Sequence, residues 1–362
     1  DQMPGYLALP KDGEPTLESY MKTRQFKPLR PGQTSYYQNY RKFLVSLMKA
    51  VYGDAATAEN NWAYDWLPKL DLPMYDIIRA FEMMNNGEMT GYICQGFNPL
   101  QAFPDRGKIR KGLSKLKFLV VMDPLDTETS RFWENVGPQN PADPSAIQTE
   151  VFQLPTTCFA EENGSLVNSS RWLQWHWKAA DGPGKAQSDI WIMSGIFHRL
   201  RALYRKEGGA FPDPLLNLSW NYTDPADPDP EELAKDMNGR ALVDIADAAG
   251  APALRAGQLL DGFAQLRDDG TTASGCWIFS GCFTEKGNQM ARRDATDPRE
   301  QGIAPNWAWA WPANRRILYN RASADPAGKA WNPAKPIIEW NGRQWVGIDV
   351  PDYGPTTKPS EG

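Results

Sequence analysis

The chain has 362 residues, 41% of them hydrophobic, and a formal net charge of −5, which suits two domains or one large α/β domain with an appendage. The mild acidity gives no electrostatic reason to expect nucleic acid or an anionic membrane as partner. No stretch approaches the roughly 18 consecutive apolar residues of a membrane helix, so no direct membrane span is expected.

In chain order, residues 1–32 are rich in Pro, Gly and charge and read as a linker with a short helix near Thr16–Thr23. No export signal opens them, and Met3 leads into a loop-like Pro4-Gly5-Tyr6, so a start upstream of Asp1 is expected. Tyr40, Phe43, Leu44, Leu47 and Val51 recur at helical spacing and predict an amphipathic helix over 36–52. A second helix is predicted over 74–84, stopped by Asn85-Asn86-Gly87. The next hundred residues alternate: strand 89–94, basic helix 108–116, strand 117–122, a helix over 127–135 with Thr127 as its cap, and strand 150–154 closed by Pro155. This order is the signature of α/β architecture with a doubly wound, mainly parallel sheet.

A Trp-rich segment (165–178) and a long amphipathic helix (188–207) follow. Asp224–Pro230 reads as an exposed linker, 230–237 and 242–248 as helices, and the rest as short strands and turns. We therefore expect a linker (1–32), an α/β domain (33–220), an irregular helical and β-rich extension (221–350) and a disordered tail (351–362). The cysteines Cys94, Cys158, Cys276 and Cys282 form no CxxC pair. A zinc or thioredoxin motif is therefore not expected, and free buried thiols are.

Ligands of an open parallel sheet bind beyond the carboxyl ends of its strands, and two such ends carry suitable groups. Gln95-Gly96-Phe97-Asn98-Pro99 offers amide side chains and a glycine that admits close approach; an ordinary turn has the same composition. Asp123 follows a buried strand directly, with Thr127, Glu128 and Thr129 beyond it. A carboxylate there can accept the two N–H groups of a guanine edge or the hydroxyls of a ribose, and a helix N-terminus at Thr127 would suit phosphate. A helix cap with surface acids is the bland alternative. A third polar cluster, Glu161 to Gln174 with Asn168 and Arg171, surrounds Gly164. Arg292, Arg293, Arg315, Arg316 and Arg321 cluster in the sequence, to meet phosphate, an acidic partner or solvent. Trp307, Trp309 and Trp311 alternate as a strand would, which raises sugar stacking as a reading beside core packing. GxGxxG, GxxxxGK[ST] and GxSxG are all absent, which removes the main support for dinucleotide, ATPase and serine-hydrolase readings.

The blocks CQGFNPLQAFPD (94–105), FLVVMDPLDTETSRFWE (118–134), EVFQLPTTCFAEENGSLVNSSRWLQWHWKA (150–179) and NWAWAWPANRRILYNRAS (306–323) resemble, in content, order and spacing, the catalytic subunit of molybdenum- or tungsten-dependent formate dehydrogenases of the respiratory, periplasm-facing type. The resemblance covers essentially the whole chain. It implies a molybdopterin-oxidoreductase fold and a pair of molybdopterin guanine dinucleotides around one metal. The 89–180 region would cradle the guanosine end of one of them. On this basis Asp123 would recognise guanine. Thr127 and the turn of Gln95, Gly96 and Asn98 would hold ribose or phosphate, with Glu128, Thr129, Glu161, Asn168, Arg171 and Gln174 as further cofactor contacts.

The resemblance places the [4Fe-4S] cysteines, the metal-ligating selenocysteine or cysteine and its neighbouring histidine and arginine outside these 362 residues. No catalytic or metal residue is therefore assigned here. It further implies formate as substrate, an iron–sulfur electron-transfer subunit as partner, a membrane cytochrome b subunit reached through it, and a periplasmic location. The chain alone is expected to have no formate oxidation activity. A stand-alone guanine-nucleotide or cofactor-assembly module without catalysis is the alternative.

Overall fold

The computed structural model describes residues 2–29, 34–71, 75–134, 143–247, 249–298, 300–349, 351 and 354–361. Helix α1 (Leu17–Thr23) starts at Thr16, whose hydroxyl and the hydroxyl of Ser19 reciprocally satisfy two backbone N–H groups. Helix α2 (Tyr40–Tyr52) buries Phe43, Leu44, Leu47 and Met48. These residues share one core with Leu7, Leu17, Tyr20 and Tyr64, and with Leu254, Leu260, Leu266 and Trp277 from far along the chain. The Phe43 and Trp277 rings stack at 4.1 Å, within 1° of parallel, and the Trp277 indole N–H donates to the Gly5 carbonyl at 2.7 Å. Residues expected as a linker thus supply Leu7, Leu17 and Tyr20 to a core that also draws on residues beyond 220.

Helix α3 (Ile77–Asn86) runs from an Asp76 cap to Gly87, whose left-handed conformation (φ 77°) ends it. Strand β1 (Gly91–Gln95), the short α4 (Pro99–Ala102), α5 (Arg106–Leu113), β2 (Phe118–Asp123) and β3 (Glu150–Pro155) follow. The three strands form one parallel sheet in the order β1–β2–β3. Cys94, Leu119 and Val121 point to one face and pack under Phe81 and Met84 of α3, Ile109 and Leu113 of α5, and Phe132. The α/β class therefore holds. The strands run in sequence order with no reversal among the described residues, so the winding in two directions expected for this sheet is not formed by them.

Two predicted helices are corrected. Residues 128–134 form consecutive turns, and Asn135 lies outside the described residues. Thr127 and Ser130 make the same reciprocal hydroxyl bonds that open α1, so the predicted cap is present, but the turns after it do not continue into a helix. In the predicted helix 242–248, Arg240–Ala241 pairs with Thr272–Ala273 and Ile245–Ala246 pairs with the 252–254 strand; Ala248 lies outside the described residues. A backbone already engaged in two ladders cannot form the helix. Beyond β3, β4 (Gly164–Val167) and β5 (Trp172–His176) make an antiparallel hairpin, extended by β6 (Trp309–Ala310). Then come α6 (Asp189–Glu207), α7 (Pro212–Leu216) and α8 (Pro230–Asn238). The segment after Pro355, expected to be disordered, meets Trp345, whose backbone N–H donates to Pro355 and whose indole donates to Thr357 at 2.7 Å.

Asn238 ends α8 with its side chain fully buried. Its amide donates to the carbonyls of Gly239 and Leu260, and its Oδ1 accepts the N–H groups of Gly281 and Phe283. Asn238→Ala removes the side-chain partner of the Leu260 carbonyl and of the Gly281 and Phe283 N–H groups in the interior, while the Gly239 carbonyl keeps the Leu260 N–H. It should lower the unfolding free energy by roughly 2–4 kcal/mol, read from urea denaturation. A loss below about 0.5 kcal/mol would contradict this role.

Candidate functional site

Parallel pairing in register carries Gln95, Met122 and Leu154, then Asp123 and Pro155, to one rim of the sheet. The Gly96 N–H donates to the Met122 carbonyl at 2.8 Å and continues the ladder into the turn. Gly96 adopts φ +57°, which favours glycine, and the space beside it is open. Asp123 accepts the Leu125 N–H on Oδ1 at 3.0 Å.

The chain returns to this rim from a distance. Gln187 bonds the Pro155 carbonyl through its own N–H, and its carbonyl takes the Thr157 N–H. Ser188 then caps α6, and Asp189 begins the helix. The Asp189 carboxylate lies near the Gln95 side chain. Its Oδ1 is out of water and accepts nothing. Burial raises its pKa, the Gln95 side chain opposes the rise, and the nearby Asp123 charge adds to it. Glu162 belongs to the same cluster: its Oε2 accepts the Thr157 hydroxyl at 2.7 Å, and its backbone carbonyl lies 3.1 Å from His176 Nδ1. Burial is also the main cause of its raised pKa, with Asp189 contributing in the same direction. The rim is therefore rich in acceptors: the Asp123 charge acts on Asp189, and Asp189 acts on Glu162.

The two segments singled out in the sequence are tied together. Asn98 donates to Glu128 at 2.6 Å, Gln101 donates to the other Glu128 oxygen at 2.6 Å, and Thr129 donates to Asn98 at 2.8 Å. The Gln101 and Asn98 bonds hold the Glu128 carboxyl below its ordinary value. Thr129 is fully buried, and its hydroxyl also accepts the Leu100 N–H. Asn98, Glu128 and Thr129 thus brace the rim. Thr127 precedes a run of turns over 128–134, and no helix follows it to offer an N-terminus for phosphate.

Glu161 accepts the Cys158 N–H at 2.9 Å. Asn168 and Arg171 sit at the far tip of the β4–β5 hairpin, where Asn168 accepts the N–H groups of Ser170 and Trp172. Arg171 donates to the Trp311 and Arg316 carbonyls. Gln174 lies mid-strand on the hairpin. The hairpin's length separates Asn168 and Arg171 from Asp123. The clustered arginines likewise serve main-chain carbonyls: Arg292 bonds Gln289 and Ala308 at 3.0 Å, and Arg316 bonds Pro305 and Trp307. Burial, then the Arg292 charge, pushes Arg316 down to about 10. Trp309 is buried against Leu173 and Trp175, so the alternating tryptophans form no open stacking platform.

Asp189 and Thr157 were not singled out from the sequence, and Glu162 only as one member of the polar cluster around Gly164. A signal for Asp189 existed: Ser188-Asp189 caps a long amphipathic helix that returns to the sheet. Nothing local marks it as facing Asp123, because that contact depends on the 187–155 bridge.

No family model matches the chain. It is 58% identical over 352 residues to the formate dehydrogenase-O major subunit of Escherichia coli, covering 97% of this chain and 34% of that protein. It is 51% identical over 352 residues to the formate dehydrogenase major subunit of Haemophilus influenzae, covering 97% and 34%. It is 42% identical over 355 residues to the formate dehydrogenase 2 subunit alpha (cytochrome c-553) of Nitratidesulfovibrio vulgaris, again covering 97% and 34%. The chain thus spans about a third of the length of the curated relatives it matches. A solved structure of acetylene hydratase from Pelobacter acetylenicus aligns over 49% of this chain and 22% of that one, at 14% identity and a TM-score of 0.28, too slight a likeness to argue from.

The raised Asp189 pKa has a signed consequence. The folded chain keeps this proton to higher pH than the unfolded chain. The resulting stability is fully present below the ordinary aspartate value and is lost as pH rises through the raised one. Asp189→Asn should remove that loss, so that the stability of the parent minus that of the variant falls as pH rises from about 4 towards 7. Urea denaturation across this range measures it, and a pH-independent difference would contradict the assignment.

Proposed function

The chain belongs to the family of formate dehydrogenase major (alpha) subunits, and from that premise we propose that its rim crevice holds the guanosine end of a molybdopterin guanine dinucleotide. The observation that carries this reading is the meeting of Asp123 and Asp189 beside Gly96 at the carboxyl edge of a parallel sheet. A guanine edge presents adjacent N1–H and N2–H donors, and a carboxylate offers two matching acceptors. Asp189 Oδ1, buried with no partner, is an acceptor that such a donor would satisfy. The open space at Gly96 admits the base or ribose close to the backbone. The donor set therefore fits the group.

When bound, the cofactor carries molybdenum or tungsten and supplies the two-electron chemistry that takes formate to carbon dioxide. This chain's residues bind and orient. Asp123 and Asp189 read the base. Gln95 lies beside Asp189. The Asn98–Glu128–Thr129 bonds fix the turn against the segment after β2. In the complete subunit we assign the second guanine dinucleotide, the metal ligand and the [4Fe-4S] cluster to polypeptide outside these residues. An iron–sulfur subunit and, through it, a membrane cytochrome b would be the electron-transfer partners, with the subunit on the periplasmic side. The α/β unit from about residue 77 to α6 is then a cofactor-holding part of the subunit, with the remainder of the chain as its support.

Asp123→Ala should weaken binding of GMP to the chain by roughly ten- to a hundredfold, the value of one two-point contact to a base edge, with the unfolding midpoint little changed. Isothermal titration calorimetry reads the affinity. Equal affinity in parent and variant would remove Asp123 from guanine recognition.

A further inference from the structure

The backbone fixes Asp189 at the rim. Asp123 pairs with Pro155, Thr156 bridges to Gln187, and the Gln187 N–H donates to the Pro155 carbonyl at 3.2 Å. Two residues on, Asp189 opens α6 with a half-buried side chain. Its Oδ1 is out of water and has no partner. An aspartate in the first turn of a helix is ordinarily favoured as the anion, because the N-terminus attracts negative charge. The surroundings of Asp189 act the other way. Asp123 faces it from the end of β2, and Glu162 from the segment before β4. His176 of β5 and Glu161 act in turn on Glu162, with opposite signs. On the side of the loop before α8, Asp227 lies 3.5 Å from the Ser188 hydroxyl. Among the described residues no lysine or arginine bonds the Asp189 carboxylate or is among the charges that act on it. Burial, and then the Asp123 charge, therefore favour a carboxyl that keeps its proton.

A hydrogen-bond donor brought to Oδ1 reverses this balance. A carboxylate accepts such a bond more strongly than its acid does, so the donor favours the charged form. A guanine edge brings N–H donors and no charge of its own. We propose, resting on the guanine reading above, that the base enters this rim with release of a proton: Asp189 is a neutral carboxyl in the free chain under mildly acid conditions and becomes a carboxylate when Oδ1 accepts a guanine N–H, the proton passing to solvent. Binding then strengthens as pH rises towards the point at which the free chain ionises Asp189, and levels off above it. Within that window the affinity changes about tenfold for each unit by which the bound base lowers the Asp189 value. Acid loosens the base, and neutral conditions hold it.

The test is calorimetric titration of the whole chain with guanosine, chosen because it has no phosphate to titrate or to be repelled. Runs at one pH in two buffers of unlike ionisation enthalpy count the protons released. A sizeable fraction of a proton should leave at about pH 5 and almost none at about pH 7, with Kd about threefold or more tighter at the higher pH. Equal heats in both buffers with one affinity throughout overturn the proposal and leave the guanine reading standing. No binding of guanosine at either pH overturns that reading, and the proposal with it. Asp189→Asn should lose the buffer dependence. Release that persists in this variant but vanishes in Glu162→Gln puts the proton on Glu162 and overturns the assignment to Asp189. If Asp189→Asn does not fold, infrared difference spectra of the parent chain, isotope-labelled at its aspartate carboxyls, decide the matter. The band of a protonated aspartate carboxyl should disappear when guanosine binds, and an unchanged band overturns the proposal.

Discussion

The register of two parallel ladders is the constraint on which the site depends. Cys94 opposite Val121, and Leu119 opposite Val151, place their side chains under α3 and α5. Because side chains alternate, a slip of one residue would turn this apolar set to solvent and carry Asp123 to the wrong face. Burial of the covered face thus holds the registration, and the registration sets Gln95, Gly96 and Asp123 side by side. The Gly96–Met122 and Gln187–Pro155 bonds extend the same ladders beyond the strands. The second of them delivers α6, and with it Asp189, to the rim.

Local signals made much of this legible. The 3.6-residue spacing of Phe43, Leu44, Leu47 and Val51, the Asn-Asn-Gly stop after Met84 and the apolar run before Asp123 each report an element through its own residues. The α/β class followed from their order. Two of the errors have one physical cause, namely bonds made to distant or competing partners. Residues 240–246 are held by strands 252–254 and 272–273. Leu7, Leu17 and Tyr20 read as linker because their partner, the core around Trp277, lies more than 250 residues away in the chain.

The site shows the same division. Gln95, Asn98, Asp123, Glu128 and Thr129 could be grouped from sequence because strand ends of one sheet share a rim. Their division into groups that face a ligand and groups that brace one another could not. Asn98, Glu128 and Thr129 satisfy each other, whereas Asp189 retains a buried acceptor without a partner. On the proposed reading, the family relationship suggests the chemistry that this rim would serve. The geometry supplies which side chains of this chain are placed to serve it.

The central claim is that carboxylates at this rim read the edge of a guanine base. The most direct measurement is the ratio of GMP to IMP affinity for the chain, since inosine differs only by lacking the exocyclic amine. If Asp123 and Asp189 accept the N1–H and N2–H donors, GMP should bind about tenfold or more tightly than IMP, and Asp123→Asn should bring the ratio close to one. Equal affinities in the parent chain would contradict the account, because a site that holds only ribose and phosphate cannot tell the two nucleotides apart.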